Sequence, residues 1–564
     1  MPDVGPISAS RGLVRAGPLA LLAALPALVS AVLLLFSLNG RFLPHGDHAI
    51  LQLSVRQVGR EPVLLGSYSR FGFYHPGPLA AYLLAVPYRL LGGAYESLSI
   101  GALLINAASL AGIAAVLRRR LGRATALWGM TVLAVTLRTL EPGLLRDSWN
   151  PLLPVLPFLL LVLLGWTALR GDAWALPLAV LPASLAVQSH VGYLAPVAAV
   201  AGVVCIGLFL RVRRLGPRAA VRCPGARRRV AALLASAGVA TLLWTPPIIQ
   251  QLTGEPGNVG QILLYLRGGE SHSSLAIGLR SILDEFARLP SYVLGVDPPD
   301  NPVLPHGWPV WAGATGLASF AGAVALAAWR RRPDLLWLSA LTVAVAGAGV
   351  AAVARIEGLR YLYITRWAAA VGVLAWVTVG AAALSELYPW LRRAAERRPR
   401  LQRAPGAITA GLTLLAVVTT GILTVSTARS DTPHTDQRGH LSRLVEAVDT
   451  DLRNTGMVRA DGTTETVRVD FADRGDLIGV FFDGWGVALG LIDNGVDVQL
   501  SPHWELAFGR RFVERAYEAR YVATISYADG SPPQPEPGQR LLAVSGLYQV
   551  YAGPVPTSPT TGQP

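Results

Sequence analysis

Residues 43–79 read LPHGDHAILQLSVRQVGREPVLLGSYSRFGFYHPGPL and follow the first long apolar segment of the chain. The stretch carries Asp47 between His45 and His48, and arginine, tyrosine and histidine residues follow it. Charged groups are costly in hydrocarbon unless they have a partner or water. Because long apolar segments lie on both sides, we interpret this stretch as the first outer loop of a membrane protein with many spans.

The composition also favours a membrane protein. Of the 564 residues, 52% are hydrophobic and only 15% are charged, whereas soluble domains have about 25% charged residues. The net charge of +14 comes from short blocks between apolar segments. The positive-inside rule predicts such blocks for cytoplasmic loops, so we expect no nucleic-acid partner. All 49 basic residues are arginine, and together with the abundant alanine, glycine and proline this is typical of a high-GC genome, such as an actinobacterial one.

Other kinds of site have little support in the sequence. Cys205 lies in a predicted span and Cys223 in a basic loop, so we expect neither a disulfide nor a metal site at these positions. No glycine-rich nucleotide-binding loop occurs. The first apolar segment has no A-x-A-like cleavage site, and we predict that it stays as an anchor.

Hydropathy defines the spans. A helix that crosses the hydrocarbon core needs about 20 apolar residues. The eleven predicted spans are 18–38, 97–117, 124–140, 151–169, 174–190, 194–211, 230–250, 309–329, 334–354, 366–388 and 407–427.

The arginine blocks predict the orientation of these spans. Alternation from a cytoplasmic N-terminus places every dense arginine block on the cytoplasmic side, which identifies a multi-pass protein of the plasma membrane. The C-terminal part is then extracytoplasmic. The predicted units are a transmembrane domain 1–428 with outer loops 39–96, 141–150 and 251–308, an α/β domain 429–553 and a disordered tail 554–564.

Shorter periodic segments lie outside the spans. Apolar residues at helical spacing predict interfacial helices at 79–91, 260–266 and 274–289. In the C-terminal domain, the residue pattern predicts strands at 466–471, 496–500 and 521–526, a further β-rich segment at 541–551, and a helix at 476–492. The fold class is therefore a mainly α, polytopic helical bundle with a small α/β domain.

Asp47 is the first candidate for chemistry. A carboxylate just outside a span lies at the lipid–water boundary, where the headgroup of a lipid-linked substrate is found. A carboxylate of suitable pKa can act there as a general base toward a hydroxyl group. The alternative is a solvated aspartate that forms a turn with Gly46.

Three motifs give the chain a family resemblance. Gly46-Asp47, Tyr68-Ser-Arg70-Phe-Gly72 and Tyr74-His-Pro-Gly-Pro78 resemble the GT-C superfamily of integral-membrane glycosyltransferases. The likeness is to actinobacterial family-39-like proteins, relatives of protein O-mannosyltransferases and of aminoarabinose and arabinofuranosyl transferases. It extends to about Arg366 and does not include 430–553. It implies a polyprenyl-phosphate sugar donor and an essential aspartate at the position of Asp47.

The same loop supplies further candidates for donor binding: His48, Arg70, Tyr74 and His75. Many relatives have a second acidic residue where this chain has His48. No cofactor is required by the sequence and no metal ligands are assigned, although use of a divalent cation stays open. His75 is alternatively a turn residue before a proline.

The later outer segments supply the remaining candidates. The short second loop contains Arg146, Asp147 and Asn150. The guanidinium of Arg146 suits phosphate oxygens, and the alternative is a surface turn in which Arg146 pairs with Asp147. His190 ends the fifth predicted span. Arginines at outer positions run against the positive-inside rule, so Arg360 and Arg366 are candidates for the donor phosphate, the alternatives being Glu357 or lipid headgroups as partners.

These residues lead to one main hypothesis and two rivals. The main hypothesis is transfer of a sugar from a polyprenyl-phosphate donor to a glycan, lipid or protein acceptor, with Asp47 as base. The first rival is a flippase or transporter of lipid-linked sugars that has no transferase activity. The second is a structural membrane partner of a cell-wall complex, in which the C-terminal domain is the working part.

Overall fold

The computed structural model describes residues 9–38, 42–215, 225–255, 257–268, 273–433, 439–459, 461–471, 484–528, 535 and 537–555. Helices dominate up to residue 429, and a five-stranded sheet follows. The N-terminal part contains α1 (Ala9–Leu35), α2 (Gly46–Gln57), β1 (Tyr68–Ser69), β2 (Phe73–Tyr74), α3 (Leu79–Leu90), α4 (Glu96–Leu121), α5 (Arg123–Leu140), α6 (Val155–Leu169), α7 (Ala175–Ser189), α8 (Leu194–Leu215), α9 (Ala226–Thr253), α10 (Asn258–Gly268), α11 (Leu275–Val293), α12 (Val310–Trp329), α13 (Pro333–Ala354), α14 (Ala369–Arg397) and α15 (Ala404–Arg429).

The predicted apolar spans are helices in the structure. Among the described residues, eight helices are long and apolar enough to cross a membrane. The segments predicted at 151–169 and 174–190 form shorter apolar helices of 15 residues each, α6 and α7. Pro154 immediately before α6 explains its late start, since proline favours the first turn of a helix and disfavours helical geometry in the residue before it. The prediction of a polytopic helical bundle with a small α/β domain is confirmed, and the chain is a multi-pass membrane protein.

Small residues allow the helices to pack closely. A Cβ at Gly372 of α14 would lie 2.2 Å from the Glu285 carbonyl oxygen, and one at Gly316 of α12 would lie 2.5 Å from that of Phe286. Both glycines face α11, so the backbones approach each other there. Glycine at helix contacts is typical of membrane bundles, where association depends on close packing.

Helix α11 was predicted to be amphipathic, and the structure shows which of its sides faces the bundle. Leu275 and Leu279 are exposed, whereas Asp284, Glu285 and Arg288 are buried toward the bundle. The helix therefore turns its charged side inward and leucine side chains outward. That orientation is expected where the surroundings are lipid, since charged groups then face the bundle interior.

The arginine blocks meet at one end of the bundle. Arg119 lies 2.9 Å from Asp172, Arg170 pairs with Asp334, and Arg330 lies 2.5 Å from Glu386. These contacts connect the segments at that end of the bundle, and the orientation of the bundle in the membrane stays a prediction. The outer segments lie at the opposite end.

The C-terminal part forms a mixed sheet. Its elements are α16 (His440–Asn454), β3 (Val467–Phe471), α17 (Trp485–Asp493), β4 (Val498–Leu500), α18 (Glu505–Phe508), β5 (Tyr521–Tyr527), β6 (Arg540–Ser545) and β7 (Tyr548–Pro554). The strand order is β4-β3-β5-β7-β6, with β3 parallel to both neighbours and the remaining pairs antiparallel.

The strands predicted at 466–471, 496–500 and 521–526 are present. The β-rich segment predicted at 541–551 is a hairpin of β6 and β7, in which Gly546, at φ 61°, allows the chain to turn back. Part of the helix predicted at 476–492 is α17, while residues 472–483 and the tail 556–564 lie outside the described residues. The disordered tail stays a prediction.

Helix α2 is the main element that the sequence did not predict. Its side chains Ala49, Ile50 and Leu53 belong to the hydrophobic core of the C-terminal sheet domain. The outer loop that carries Asp47 and the C-terminal domain therefore share one core. The domain boundary at 428/429 stays a prediction, and this packing crosses it.

Candidate active site

Asp47 lies in the first turn of α2, where the positive end of the helix dipole favours a negative charge. Its two oxygens accept hydrogen bonds from different neighbours. The Tyr68 hydroxyl donates to Oδ1 at 2.7 Å, and the Trp149 indole Nε1 donates to Oδ2 at 2.9 Å. Three outer segments, namely α2, the β1–β2 hairpin and the loop before α6, thus fix one carboxylate.

Burial is the main cause of the pKa shifts of Asp47 and Tyr68. Desolvation raises the pKa of Asp47, while the hydrogen bonds from Tyr68 and Trp149 oppose the rise. Burial, together with the charge of Asp47, raises the pKa of Tyr68. Tyr68 consequently keeps its proton and acts as the donor. Asp47 is a more basic carboxylate than one in water, which suits a group that must take a proton.

A second carboxylate is connected to the first. Nε2 of His48 lies 2.9 Å from Oδ1 of Asp147. The same Asp147 oxygen accepts the Trp149 backbone N–H at 2.8 Å. Trp149 therefore bonds to Asp147 through its backbone and to Asp47 through its ring. This links the loop 141–150 to the start of α2, as the prediction that both lie at one site requires.

Aromatic rings lead away from Asp47 toward an arginine. The Trp149 ring lies 4.6 Å from that of Tyr363, and Tyr363 stacks on Tyr361 at 5.7 Å with 14° between the planes. The Arg70 guanidinium lies 5.6 Å from the Tyr361 centroid. We call Trp149, Tyr363 and Tyr361 the aromatic row. It places Asp47 at one end and the exposed Arg70 at the other.

His75 and His190 form a buried pair beside the hairpin. Their ring centroids are 4.4 Å apart, and Nδ1 of His75 accepts the Val191 N–H at 3.2 Å. Burial and the neighbouring His190 lower the pKa of His75 well below its usual value, so the ring is neutral. Nδ1 of His190 accepts the Gly192 N–H at 3.1 Å. Both rings thus hold backbone in place.

Tyr74 and Asn150 also support backbone. The backbone N–H and C=O of Tyr74 bond to the Asn258 side chain at 2.9 and 2.8 Å. Asn150 donates to the Ser189 carbonyl at 3.0 Å. These contacts fix the hairpin and the second loop against α10 and α7. The donor-binding roles of Tyr74, His75, Asn150 and His190 stay predictions.

Arg146 anchors the end of the last membrane helix. It is buried, and it donates to the Ser30 hydroxyl at 2.7 Å, to the Ala428 carbonyl at 3.0 Å and to the Ser430 carbonyl. These carbonyls lie at the C-terminal end of α15, where helical partners run out. The surface turn with Asp147 is wrong, because Arg146 points into the protein while Asp147 bonds to His48.

Arg360 and Arg366 lie in different surroundings. Nε of Arg360 donates to the Leu304 carbonyl at 3.3 Å. Arg366 has a buried Nη1 with no hydrogen-bond partner among the described residues. Its charge acts on Glu141, whose pKa is raised by burial and by Asp147 and lowered by Arg366.

The sequence did not single out the ion pair beside Arg366. Arg288 binds Glu285 through two hydrogen bonds of 2.5 and 3.0 Å, and Nη1 of Arg288 is likewise buried without a partner in the described part of the chain. The available signal was an acidic residue three positions before an arginine in an amphipathic segment. Tyr68, Trp149 and Tyr363 were also missed as site residues. Tyr68 stands within a quoted motif, while Trp149 precedes the candidate Asn150 and Tyr363 lies between the candidates Arg360 and Arg366.

A resident metal has no ready ligand set here. Within the described ranges, no three His, Cys, Asp or Glu side chains gather in a way that would hold a metal ion. The divalent cation stays a prediction.

Comparison with known protein structures identifies the fold of the chain. No protein-family model matches the sequence, and no curated protein sequence matches it. The crystal structure of ArnT from Cupriavidus metallidurans bound to undecaprenyl phosphate is similar over 97% of this chain and 98% of that one, with a TM-score of 0.51 and 13% identity. The apo structure of the same protein has a TM-score of 0.49 at 14% identity over the same shares. An identity this low establishes the fold alone, and the chain accordingly has the GT-C fold that its motifs predicted.

Proposed function

We propose that the chain is a membrane glycosyltransferase that moves a sugar from a polyprenyl-phosphate donor to a hydroxyl group of an extracytoplasmic acceptor. The observation that carries the proposal is the Asp47 carboxylate, held on both oxygens by the neutral donors Tyr68 and Trp149. A carboxylate fixed in this way, with a raised pKa, is equipped to accept a proton.

The fold and the position of the site support a lipid phosphate as the carrier of the donor sugar. The ArnT structure with the same fold holds undecaprenyl phosphate, which supports a polyprenyl phosphate as the carrier here. The site lies at the end of the bundle opposite the arginine blocks, where a lipid headgroup is within reach.

The reaction is a direct displacement. The acceptor oxygen attacks the anomeric carbon and forms the new glycosidic bond, while Asp47 takes the hydroxyl proton. The bond from the anomeric carbon to the phosphate oxygen breaks, and the polyprenyl phosphate leaves with the electron pair. Base and leaving group stand on opposite faces of the sugar, so the configuration at the anomeric carbon inverts.

Arg70 is placed to receive the departing phosphate. Its guanidinium is exposed at the far end of the aromatic row from Asp47, and its one hydrogen bond among the described residues, to the Leu359 carbonyl, measures 3.2 Å. The rest of its fork is open to phosphate oxygens. A sugar lying along the aromatic row would have the base at one end and this cation at the other. A fixed cation that meets developing negative charge lowers the barrier.

Arg366 and Arg288 are the second candidates for this role. Each has a buried Nη1 without a partner among the described residues. An unsatisfied buried donor costs about 1–3 kcal/mol. An anionic phosphate oxygen that reached these groups would remove that cost, whereas Glu285 and Glu141 already balance part of the charge.

The test is transfer by the purified full-length chain. The chain is incubated with a panel of decaprenyl-phosphate sugars, and donor consumption and glycosidic product are both measured. Asp47→Asn is expected to lower turnover by at least about a hundredfold, the usual contribution of a general base. Asp461→Asn is the matched control, since the hydrogen bonds of Asp461 among the described residues stay within its own turn, to Thr463.

Two results would overturn the proposal. One is full turnover by Asp47→Asn. The other is movement of labelled donor across a liposome membrane by the wild-type chain with no glycosidic product from any donor, which would identify a transporter.

A further inference from the structure

A crevice opens at the arginine-rich end of the bundle, far from Asp47. It encloses about 540 Å³ between the end of α4, the N-terminal ends of α5 and α13, the second half of α14 and the start of α15. Four guanidinium groups line it, against one carboxylate. They belong to Arg120, Arg123, Arg332 and Arg392, and the carboxylate is Asp334.

The positive charge of the crevice is poorly compensated. Asp334 pairs with Arg170, outside the crevice, and Arg120 has Asp172 at 3.7 Å. The side chains of Arg123, Arg332 and Arg392 make no ion pair and no hydrogen bond with any residue that the structure describes. Three free guanidinium groups therefore converge on one space.

The N-terminal ends of two helices add to the positive potential in the crevice. The lining includes Arg123, Ala124 and Thr125, the first three residues of α5, and Leu335 in the first turn of α13. The first backbone N–H groups of a helix have no internal partner, and the helix dipole is positive there. Two helices of 18 and 22 residues thus direct their positive ends at the same space as the arginines.

The crevice also has an apolar side. Leu335, Ala381 and Leu384 line its wall, and the Tyr388 hydroxyl is engaged with Thr409 at 2.7 Å. Two exposed tryptophans stand at the same end of the bundle, Trp329 (74% exposed) at the end of α12 and Trp390 (56% exposed) in α14. Tryptophan is enriched at the headgroup level of membranes. The crevice therefore lies where a phospholipid headgroup meets its acyl chains.

We propose that this crevice binds an anionic phospholipid of the cytoplasmic leaflet. The phosphate lies among Arg123, Arg332 and Arg392 and the N-terminal N–H groups of α5, and the acyl chains follow the apolar wall along α14. Basic pockets between membrane helices at the cytoplasmic side suit such headgroups. The site is separate from the proposed transferase site, so either assignment can fail alone.

Native mass spectrometry of the full-length chain tests the site. The probes are dioleoylphosphatidylglycerol, which is anionic, and dioleoylphosphatidylcholine, which is zwitterionic. The wild-type chain is expected to retain phosphatidylglycerol at least about tenfold more than phosphatidylcholine, because several arginines attract the anionic headgroup. The variant Arg123→Gln/Arg332→Gln/Arg392→Gln is expected to lose this preference.

A matched variant separates the crevice from general positive charge. Arg118→Gln/Arg397→Gln/Arg400→Gln removes the same charge from the same end of the bundle without altering the lining, and it is expected to keep the preference. Equal loss in both triple variants would overturn the proposal. So would equal retention of the two lipids by the wild-type chain, which needs no variant to fold. Displacement of phosphatidylglycerol by excess sodium phosphate would identify an ion site rather than a lipid site and would also overturn it.

Discussion

The ring of Tyr68 meets the ring of Trp485 edge-on, with centroids 5.6 Å apart and 69° between the planes. Tyr68 is the residue whose hydroxyl bonds to Asp47, and Trp485 begins a helix of the C-terminal domain. A residue more than 400 positions away in the chain therefore supports a donor to the candidate base. The C-terminal domain is part of the architecture of the site.

Removing the Tyr68 hydroxyl should change the pH dependence of transfer. The hydrogen bond from Tyr68 lowers the pKa of Asp47, so Tyr68→Phe raises it further above its ordinary value near 3.8. A base works only when deprotonated, so the acid limb of kcat/KM should move to higher pH, by about one unit for one hydrogen bond to a charged group.

The matched control is Tyr82→Phe, because the wild-type Tyr82 hydroxyl bonds to the Val63 carbonyl, at 2.5 Å, and not to Asp47. The acid limb of kcat/KM for Tyr82→Phe should lie at the same pH as that of the wild type. An unshifted limb in Tyr68→Phe would show that Asp47 is not the group that titrates.

Trp485 should act through Tyr68. Trp485→Leu removes the edge-on contact and leaves the hydroxyl of Tyr68 free to move away from Asp47, so kcat should fall more than KM for the donor rises. The measurement is a double-mutant cycle on kcat/KM with Tyr68→Phe. The effect of Trp485→Leu should shrink in the Tyr68→Phe background, as expected for coupled neighbours. Independent, additive losses would contradict this, and Trp485→Phe should restore most of the activity.

The membrane helices could be predicted because their signal is local. An apolar segment of spanning length identifies itself whatever it packs against, and the structure has helices at all eleven predicted positions. Helix α2 gave no such signal. Its residues 46–57 mix polar and apolar side chains, and the partners of Ile50 and Leu53 are C-terminal residues far along the chain. Only the folded chain reveals that pairing.

The site was predictable in part for the same reason. Asp47 could be found because a carboxylate directly after a span is unusual on local grounds. Its donors Tyr68 and Trp149 come from separate loops, and no spacing rule connects these positions. Arg146 shows the limit of residue type as evidence, since a guanidinium that suits phosphate suits helix carbonyls equally well.

Gly486 should not tolerate a side chain. A Cβ there would lie 2.3 Å from the Pro44 carbonyl oxygen and 2.5 Å from Cδ1 of Leu441. Gly486→Ala therefore pushes α17 away from the segment that leads into α2, at a cost of about 1–3 kcal/mol for overpacking. Thermal unfolding of the purified protein should begin at a lower temperature. Gly421→Ala is the control, because no described atom lies within 4 Å of the added Cβ. Its unfolding temperature should be unchanged or slightly higher.

Arg146 distinguishes structural support from donor binding. Arg146→Gln removes hydrogen bonds to Ser30, Ala428 and Ser430 and leaves half-buried carbonyls at the end of α15 without this donor. Each unsatisfied group costs about 1–3 kcal/mol, so the melting temperature should drop while KM for the polyprenyl-phosphate donor stays close to that of the wild type. Arg70→Gln should show the reverse, a higher KM or a lower kcat with normal melting, since Arg70 is exposed and its one hydrogen bond to a described residue goes to a backbone carbonyl. If Arg146→Gln instead raised KM without loss of stability, its guanidinium would have to turn from α15 toward the donor, and the phosphate role predicted from the sequence would be the correct one.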